Sequence, residues 1–481
     1  VNAVFLHALI YGLAPILQKL AGVVLLPLYT HYLTPADYGE ITLLSIVTSV
    51  AVAILQLELR QGFLRGWIAA PDDGARASLF RAVLALLAAL GLAGAVVLVV
   101  FGNLVVTPLL GHPIGPGFRL LLAAGLFADV TGLVCNATLQ ARLKSGTVVA
   151  LGLATFVLSV SVTVICVVHL HSGAIGFFAG GTVSSVAGLA ASLVLLRGFI
   201  VRAGVSAPPD LRGLLAYSLP LLASALMFMV VRNTDRLAVG HFDTLAVVGV
   251  YGMAWTLANL LMNGVFVPLQ TSFDVWRFRL YHEGGRADDI ARIFRMAMLV
   301  VATAGVGLDT VGADLFTLVS DPRYGAATRY LPVLTLAVLL QAGYSLLAAA
   351  FFVTGATGQW FRIFAAGAAL QVLLSVALVP VFSAWGAAAS ILSANLLLYA
   401  GAARWGARLW PIPYRHGPVM VLLGLVAAAS TLRAAWPIRG PLDWLAADAV
   451  ALAFYGAGVL SFGLVGRGEM VALRRWRRAR A

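Results

Sequence analysis

Charge is what this sequence has least of. Asp, Glu, Lys and Arg together make up 11% of its 481 residues, against about 25% in soluble globular domains. Lysine is nearly missing, with only Lys19 and Lys144 present. Two cysteines, Cys135 and Cys166, both fall inside apolar runs, which excludes a disulfide framework and a cysteine-based metal cluster. No stretch joins a Gly-rich phosphate loop, metal-spaced ligands or a nucleophile beside a base, and no connection is long enough to form a sizeable extramembrane catalytic domain. The N-terminal region lacks a basic segment followed by a small-residue cleavage site, so its apolar run is expected to stay as a helix.

What is present is hydrocarbon. Hydrophobic residues form 61% of the chain and the mean hydropathy is +0.97. Runs of about 20 apolar residues, the length an α-helix needs to cross the bilayer core, recur from end to end without the alternation of a membrane barrel. The expected fold class is therefore an all-α polytopic membrane protein with about fourteen spans. They are placed near 6–32, 38–58, 80–102, 118–140, 147–168, 173–196, 214–240, 246–271, 293–312, 329–353, 361–382, 386–403, 417–433 and 444–465. A formal net charge of +13 could suggest nucleic acid, but the arginines sit in short connections and not on one polar face, so no nucleic-acid partner is expected. With the N-terminus inside, 24 of the 32 Lys and Arg residues fall in cytoplasmic connections and the C-terminal tail, and 6 fall outside. That bias places both termini in the cytoplasm.

The sequence also repeats at an offset of 210 residues. "HYLTPADYG" at 31–39 aligns with "HFDTLAVVG" at 241–249, and the segment ending at Gly176 aligns with that ending at Gly386. Six spans per copy is an even number, so both copies enter the membrane from the same side and form parallel repeats. The expected organisation is an N-terminal six-helix bundle at 1–200, a basic cytoplasmic linker at 201–213, a pseudo-symmetric second bundle at 214–410, and two further helices with a basic tail at 411–481.

Against this background "VVRNTDRLAVGHF" at 230–242 stands out, because an Arg or Asp at the middle of a span costs about 2.5–3.5 kcal/mol on the insertion scale. Arg232, Asp235 and Arg236 should therefore face protein or water. Arg236 lies near the end of its span and can snorkel, with Asp235 neutralising Arg232 one turn away. Lys19 lies mid-span in the first helix, and the repeat offset maps it onto Met229, three positions from Arg232. Lys19, Arg232 and Arg236 are thus candidates for a cationic chamber that binds an anionic group, a diphosphate being well matched to ammonium and guanidinium donors. The competing reading pairs Lys19 with Asp129 to hold helices together. Asp129, Asp235 and Asp309 are the carboxylates placed to serve as charge partners or to bind a coupling proton or sodium ion. Glu58 reads as an interfacial partner of Arg60. No cofactor or metal is expected.

The segments "LPLYTHYLTPADYGEITLL" at 26–44, "YSLPLLASALMFMVVRNTDRLAVGHF" at 217–242, "VGVYGMAWTLANLL" at 248–261 and "DPRYGAATRYLPVL" at 321–334 resemble, in order and spacing, the polysaccharide-biosynthesis flippases. These form the Wzx-like branch of the MOP (MATE-like) exporter superfamily, and the resemblance covers about the first 410 residues. It implies two six-helix bundles that move a polyprenyl-diphosphate-linked oligosaccharide across the bacterial inner membrane by alternating access through a cationic cavity. It also implies as partners the surrounding lipids and the polysaccharide polymerase and export machinery. In this chain Lys19, Arg232 and Arg236 would supply the cations, with Asp235 offsetting one of them. The two C-terminal spans are similar to those of lipid-linked precursor flippases, where such helices extend a groove for the polyprenyl tail. The alternative functions are a cation-coupled small-molecule exporter of the same superfamily and, from another class, an integral-membrane glycosyltransferase or polymerase.

Overall fold

Thr34 and Asp37 set the first long helix. The Thr34 hydroxyl accepts from the Asp37 amide at 3.2 Å, and the Asp37 carboxylate accepts from the Thr34 amide at 2.9 Å, with Pro35 at the first helical position. This reciprocal cap satisfies donors that would otherwise be orphaned at a membrane boundary. The computed structural model describes residues 25–142, 145–202, 210–271, 273, 287–436 and 441–464. Its helices are α1 (Leu26–Tyr32), α2 (Pro35–Gln56), α3 (Leu59–Ala69), α4 (Asp73–Leu110), α5 (Pro116–Ala141), α6 (Ser145–Val164), α7 (Gly173–Arg202), α8 (Leu211–Phe242) and α9 (Leu245–Leu260). They continue as α10 (Ala287–Gly307), α11 (Ala313–Val319), α12 (Leu331–Leu347), α13 (Ala349–Val353), α14 (Thr357–Phe382), α15 (Ala384–Leu409), α16 (His416–Ala435) and α17 (Pro441–Ser461). Short π-helical turns follow α6, α9 and α10.

Among the described residues 13 helical segments are long and apolar enough to cross a membrane, and each overlaps one of the last thirteen expected spans. The chain is an all-α, multi-pass membrane protein. Residues 6–24 of the first expected span lie outside the described residues. Two boundaries differ from expectation for clear reasons. The helix expected at 80–102 runs from Asp73 to Leu110, because the Asp72 side chain caps its start at 2.7 Å from the Ala75 amide and Gly111 (φ 77°) ends it. The last expected span, 444–465, stops at Ser461, where Gly463 adopts φ 60° and breaks the helix. Along α4, Leu92, Val96, Val100 and Leu104 are all more than half exposed at four-residue spacing, while Phe80, Val83 and Leu87 are buried. The exposed stripe is a lipid-facing surface, stable only where the solvent is hydrocarbon.

The residues gather into two compact units: Val1–Gly252 with Gln371–Ala387, and Met253–Leu370 with Ala388–Ala481. The core of the first unit includes Phe63, Trp67, Phe80, Leu87, Val130, Val134 and Phe199. The Trp67 and Phe199 rings lie 5.6 Å apart, and the Arg142 guanidinium sits 4.5 Å over Phe199. In the second unit, α16 and α17 are tied to α10 and α15 by polar pairs within the spans. The Tyr455 and Thr303 hydroxyls lie 3.2 Å apart, and the Tyr399 hydroxyl is 2.9 Å from His416 Nδ1.

The repeat is visible inside the first unit. A Cβ on Gly39 would lie 2.0 Å from the Leu245 carbonyl oxygen, and a Cβ on Gly249 would lie 1.8 Å from the Pro35 carbonyl oxygen. Both pairs, Gly39 with Gly249 and Pro35 with Leu245, are related by the 210-residue offset, so α2 and α9 meet reciprocally and only glycine allows the approach. Thr42 and Gly252, related in the same way, also touch, since a Cβ on Gly252 would lie 2.5 Å from Thr42 Oγ1. The offset further pairs Gly173 (φ 55°) with Ser383 (φ 52°), two left-handed residues that open the helices α7 and α15.

Candidate functional site

Three helices of the first unit turn polar stripes toward one cavity of about 720 Å³. From α2 come Thr48, Ser49 and Gln56; from α5, Asp129, Asn136 and Gln140; from α7, Phe178, Thr182 and Ser185; Met229 of α8 lies in the same lining. The α5 positions are spaced by seven and four residues, which puts all three on one helix face. Between α2 and α3 the chain breaks at Leu57 and Glu58, both in the left-handed region at φ 51° and 52°. Two consecutive non-glycine residues there store strain of about 1–3 kcal/mol each. The break brings Arg60, on the next helix, into the same cavity lining as Gln56.

The interactions around the cavity are partly internal. Arg60 Nη2 donates to Gln140 Oε1 at 2.7 Å, Gln56 Nε2 donates to the Asp129 carbonyl at 3.0 Å, and Thr182 donates to the Leu121 carbonyl at 3.1 Å. The expected interfacial pair of Arg60 with Glu58 does not form, because the left-handed turn reorients the chain and Gln140 takes the guanidinium. The Ser185 hydroxyl is placed to interact with the Asp129 carboxylate. Among the described residues Asp129 has no cationic partner, and the Asn136 amide makes no hydrogen bond within them.

The cluster at 230–242 lies on α8. Asp235 is fully buried; its Oδ2 accepts from the Tyr251 hydroxyl at 2.8 Å and its Oδ1 lies 3.6 Å from Arg236 Nε. Arg236 also folds back on its own helix, donating to the Arg232 carbonyl and, at 3.1 Å, to Asn233 Oδ1. Asp235 therefore links α8 to α9 through Tyr251. Arg232 is exposed and stands one turn beyond the cavity-lining Met229 on the same side of α8. Lys19 lies outside the described residues. Removing one hydrogen bond from a buried carboxylate costs about 1–3 kcal/mol. Tyr251→Phe is accordingly expected to lower thermal stability by that amount with the protein still inserted, a shift that differential scanning fluorimetry of the purified protein would detect; an unchanged midpoint would refute the anchor.

The third carboxylate, Asp309, occupies the π-helical turn after α10 in the second unit. Thr335 of α12 donates to its Oδ1 at 2.6 Å and Ser430 of α16 donates to its Oδ2 at 2.8 Å. Nearby, Arg433 of α16 pairs with Asp314 of α11 and, at 2.8 Å, with Asp448 of α17. A smaller cavity of about 430 Å³ in this unit is lined by Asp288, Asp289, Arg292, Arg295 and Arg415, opposite charges sharing one wall. Of the residues singled out from sequence, the structure joins Asp235 with Arg236 and sets Asp129 in the larger cavity. Asp309 lies in the second unit. Sequence reading passed over Gln56, Asn136 and Gln140; their signal was the polar residue recurring on a single face of an otherwise apolar helix.

Two solved membrane proteins share this fold. The lipid II flippase MurJ, in an inward closed conformation, aligns with a TM-score of 0.72 at 9% identity, over 96% of this chain and 99% of its own. An inward-facing multidrug resistance MATE family transporter of the MOP superfamily aligns with a TM-score of 0.68 at 18% identity, over 84% of this chain and 94% of its own. At such identities the likeness establishes a MATE- and MurJ-like fold. The profile of a family described as polysaccharide biosynthesis protein matches residues 30–272, half of the chain, and the chain belongs to that family. No curated protein sequence matches it.

Proposed function

We propose that this protein is a flippase that carries a polyprenyl-diphosphate-linked oligosaccharide across the bacterial inner membrane for cell-surface polysaccharide synthesis, with both termini in the cytoplasm. The observation that carries this reading is the polar cavity of about 720 Å³ set within apolar spans of a chain from the polysaccharide biosynthesis family. Polar and charged side chains at membrane depth are costly and mark substrate paths. The likeness in fold to a lipid II flippase supports the same class of cargo. In this reading Lys19, Arg232 and Arg236 bind the diphosphate, and Asp129, Asp235 and Asp309 are charge partners or carry a coupling proton or sodium ion. The bundles at 1–200 and 214–410 are the moving parts.

The test is leaflet accessibility of a labelled polyprenyl-diphosphate oligosaccharide in proteoliposomes. Wild-type protein is expected to transfer it, and Arg232→Ala and Lys19→Ala to reduce transfer about 10-fold or more, the loss of one charge-assisted contact being worth at least about 1.4 kcal/mol. Full transfer by both variants would refute the cationic site. A second reading, a cation-coupled exporter of small molecules, draws on Asp129, a carboxylate in the cavity without a cationic partner among the described residues. Proton- or sodium-driven efflux of an organic cation, with no lipid transfer, would favour it.

A further inference from the structure

Which glycan the cavity tolerates is written in its balance of donors and acceptors. The Thr48 hydroxyl donates to the Leu44 carbonyl at 2.8 Å and the Ser49 hydroxyl donates to the Ser45 carbonyl, both on their own helix. Their protons are thereby committed, and what they turn to the cavity is lone pairs. Asp129 adds an acceptor-only carboxylate at mid-span. The arginine in the lining, Arg60, is held at the level of Gln140 by their 2.7 Å hydrogen bond. Gln140 lies eleven residues along α5 from Asp129, which is about 16 Å at 1.5 Å per residue. At the Asp129 level the surface is thus rich in acceptors and negative, and the uncommitted Asn136 amide two turns away offers both a donor and an acceptor.

We propose that this cavity holds the glycan part of the cargo and that Asp129 makes it selective for neutral or amino sugars over sugars bearing a carboxylate, an inference that rests on the flippase reading. A pyranose presents adjacent hydroxyl donors that a carboxylate can accept together, and an amino sugar presents an ammonium that it attracts. A uronic or nonulosonic acid at the same place would bring a second carboxylate beside the first. Like charges at that range oppose binding strongly and leave selectivity set by repulsion as much as by attraction. Asn136 then acts as a second polar contact with no preference for charge. Phe178 supplies the apolar surface against which the C–H face of a sugar ring can lie. An organic cation would also be attracted to Asp129, but pockets for such ligands are rich in aromatic rings, and among the described residues of this lining Phe178 is the single aromatic, with Thr48, Ser49, Asn136, Thr182 and Ser185 adding hydroxyl and amide groups.

The experiment uses the full chain in nanodiscs and two soluble trisaccharides identical except for glucose or glucuronic acid at the central position. Equilibrium binding to wild type is expected to favour the glucose form about 10-fold or more. Asp129→Asn should bring the two affinities together by raising that of the glucuronic acid form. Asn136→Ala should weaken both alike. Equal affinities in wild type, discrimination surviving Asp129→Asn, or no binding of either sugar would each overturn the proposal. So would tight binding of a lipophilic cation that abolishes sugar binding and itself depends on Asp129 alone. The same pair coupled to polyprenyl diphosphate is then tested for transfer in proteoliposomes. Discrimination in binding with no transfer of either lipid would overturn the flippase reading while leaving the selectivity of the cavity standing; transfer of both at equal rates would overturn the selectivity and leave the flippase reading intact.

Discussion

Gly39→Leu and Gly249→Leu are each expected to abolish transport and to lower the yield of folded protein sharply. At both positions the atom that a Cβ would strike is a backbone carbonyl oxygen, at 2.0 Å from Gly39 and 1.8 Å from Gly249. No side-chain rotation can relieve such a clash, so α2 and α9 would have to part along the line where the repeat copies touch. Even alanine is expected to cost about 1–3 kcal/mol, in the range of overpacked interiors, and leucine more. In an ordinary helix the same change would be stabilising by about 0.5–1 kcal/mol, because glycine has the greater backbone entropy to lose. Gly198 on α7, where a Cβ meets nothing within 4 Å, supplies the control. Thermal unfolding of the purified variants would separate the cases: Gly198→Ala should be neutral or stabilised, and Gly39→Ala clearly destabilised. A Gly39→Ala protein as stable as wild type would show that α2 and α9 do not meet at their backbones.

Arg433→Met is the second large effect. Arg433 is the shared partner of Asp314 and Asp448, and its side chain is 12% exposed. Removing one partner of a largely buried ion pair leaves a carboxylate uncompensated and typically costs about 3–5 kcal/mol. Here two carboxylates are stranded, on α11 and α17, and the loss is expected at or above the top of that range. The cost comes from the charges left behind more than from the attraction removed. The triple replacement Arg433→Met, Asp314→Leu and Asp448→Leu is therefore expected to recover most of the stability, as buried ion triads exchanged for packed apolar residues can do. Unfolding in mild detergent of the single and triple variants checks both halves of the argument. A single variant with near wild-type stability would mean that water reaches the carboxylates.

These two sites differ in how far the sequence announces them. Gly39 and Gly249 stand in register in the repeated segment, so their equivalence was legible from the 210-residue offset, but not that the two copies press together there. Arg433 lay near the end of an expected span and carried no sign of its two acidic partners, which come from helices 119 and 15 residues away. Asp129 and Asp235 were conspicuous as charges in apolar runs. That Asp235 is anchored by Tyr251 while Asp129 opens into a cavity depends on which helix packs against each. Gln56, Asn136 and Gln140 were legible only as a pattern, one polar residue per one or two turns, and uncharged amides raise less alarm in an apolar run than ions do.

The sequence by itself determined the class of protein, the number and order of the spans within the described residues, most of the helix ends, and the repeat. Each of these rests on information local to the chain: apolar length sets a span, a capping side chain or a left-handed glycine sets an end, and register between copies sets the repeat. Tertiary structure alone decided which polar faces share a cavity, which carboxylates are tied down by hydroxyls or arginine, and where two backbones come into contact. Helical periodicity gives every side chain a direction around its own axis, but the neighbour lying in that direction is fixed only when helices distant in sequence pack.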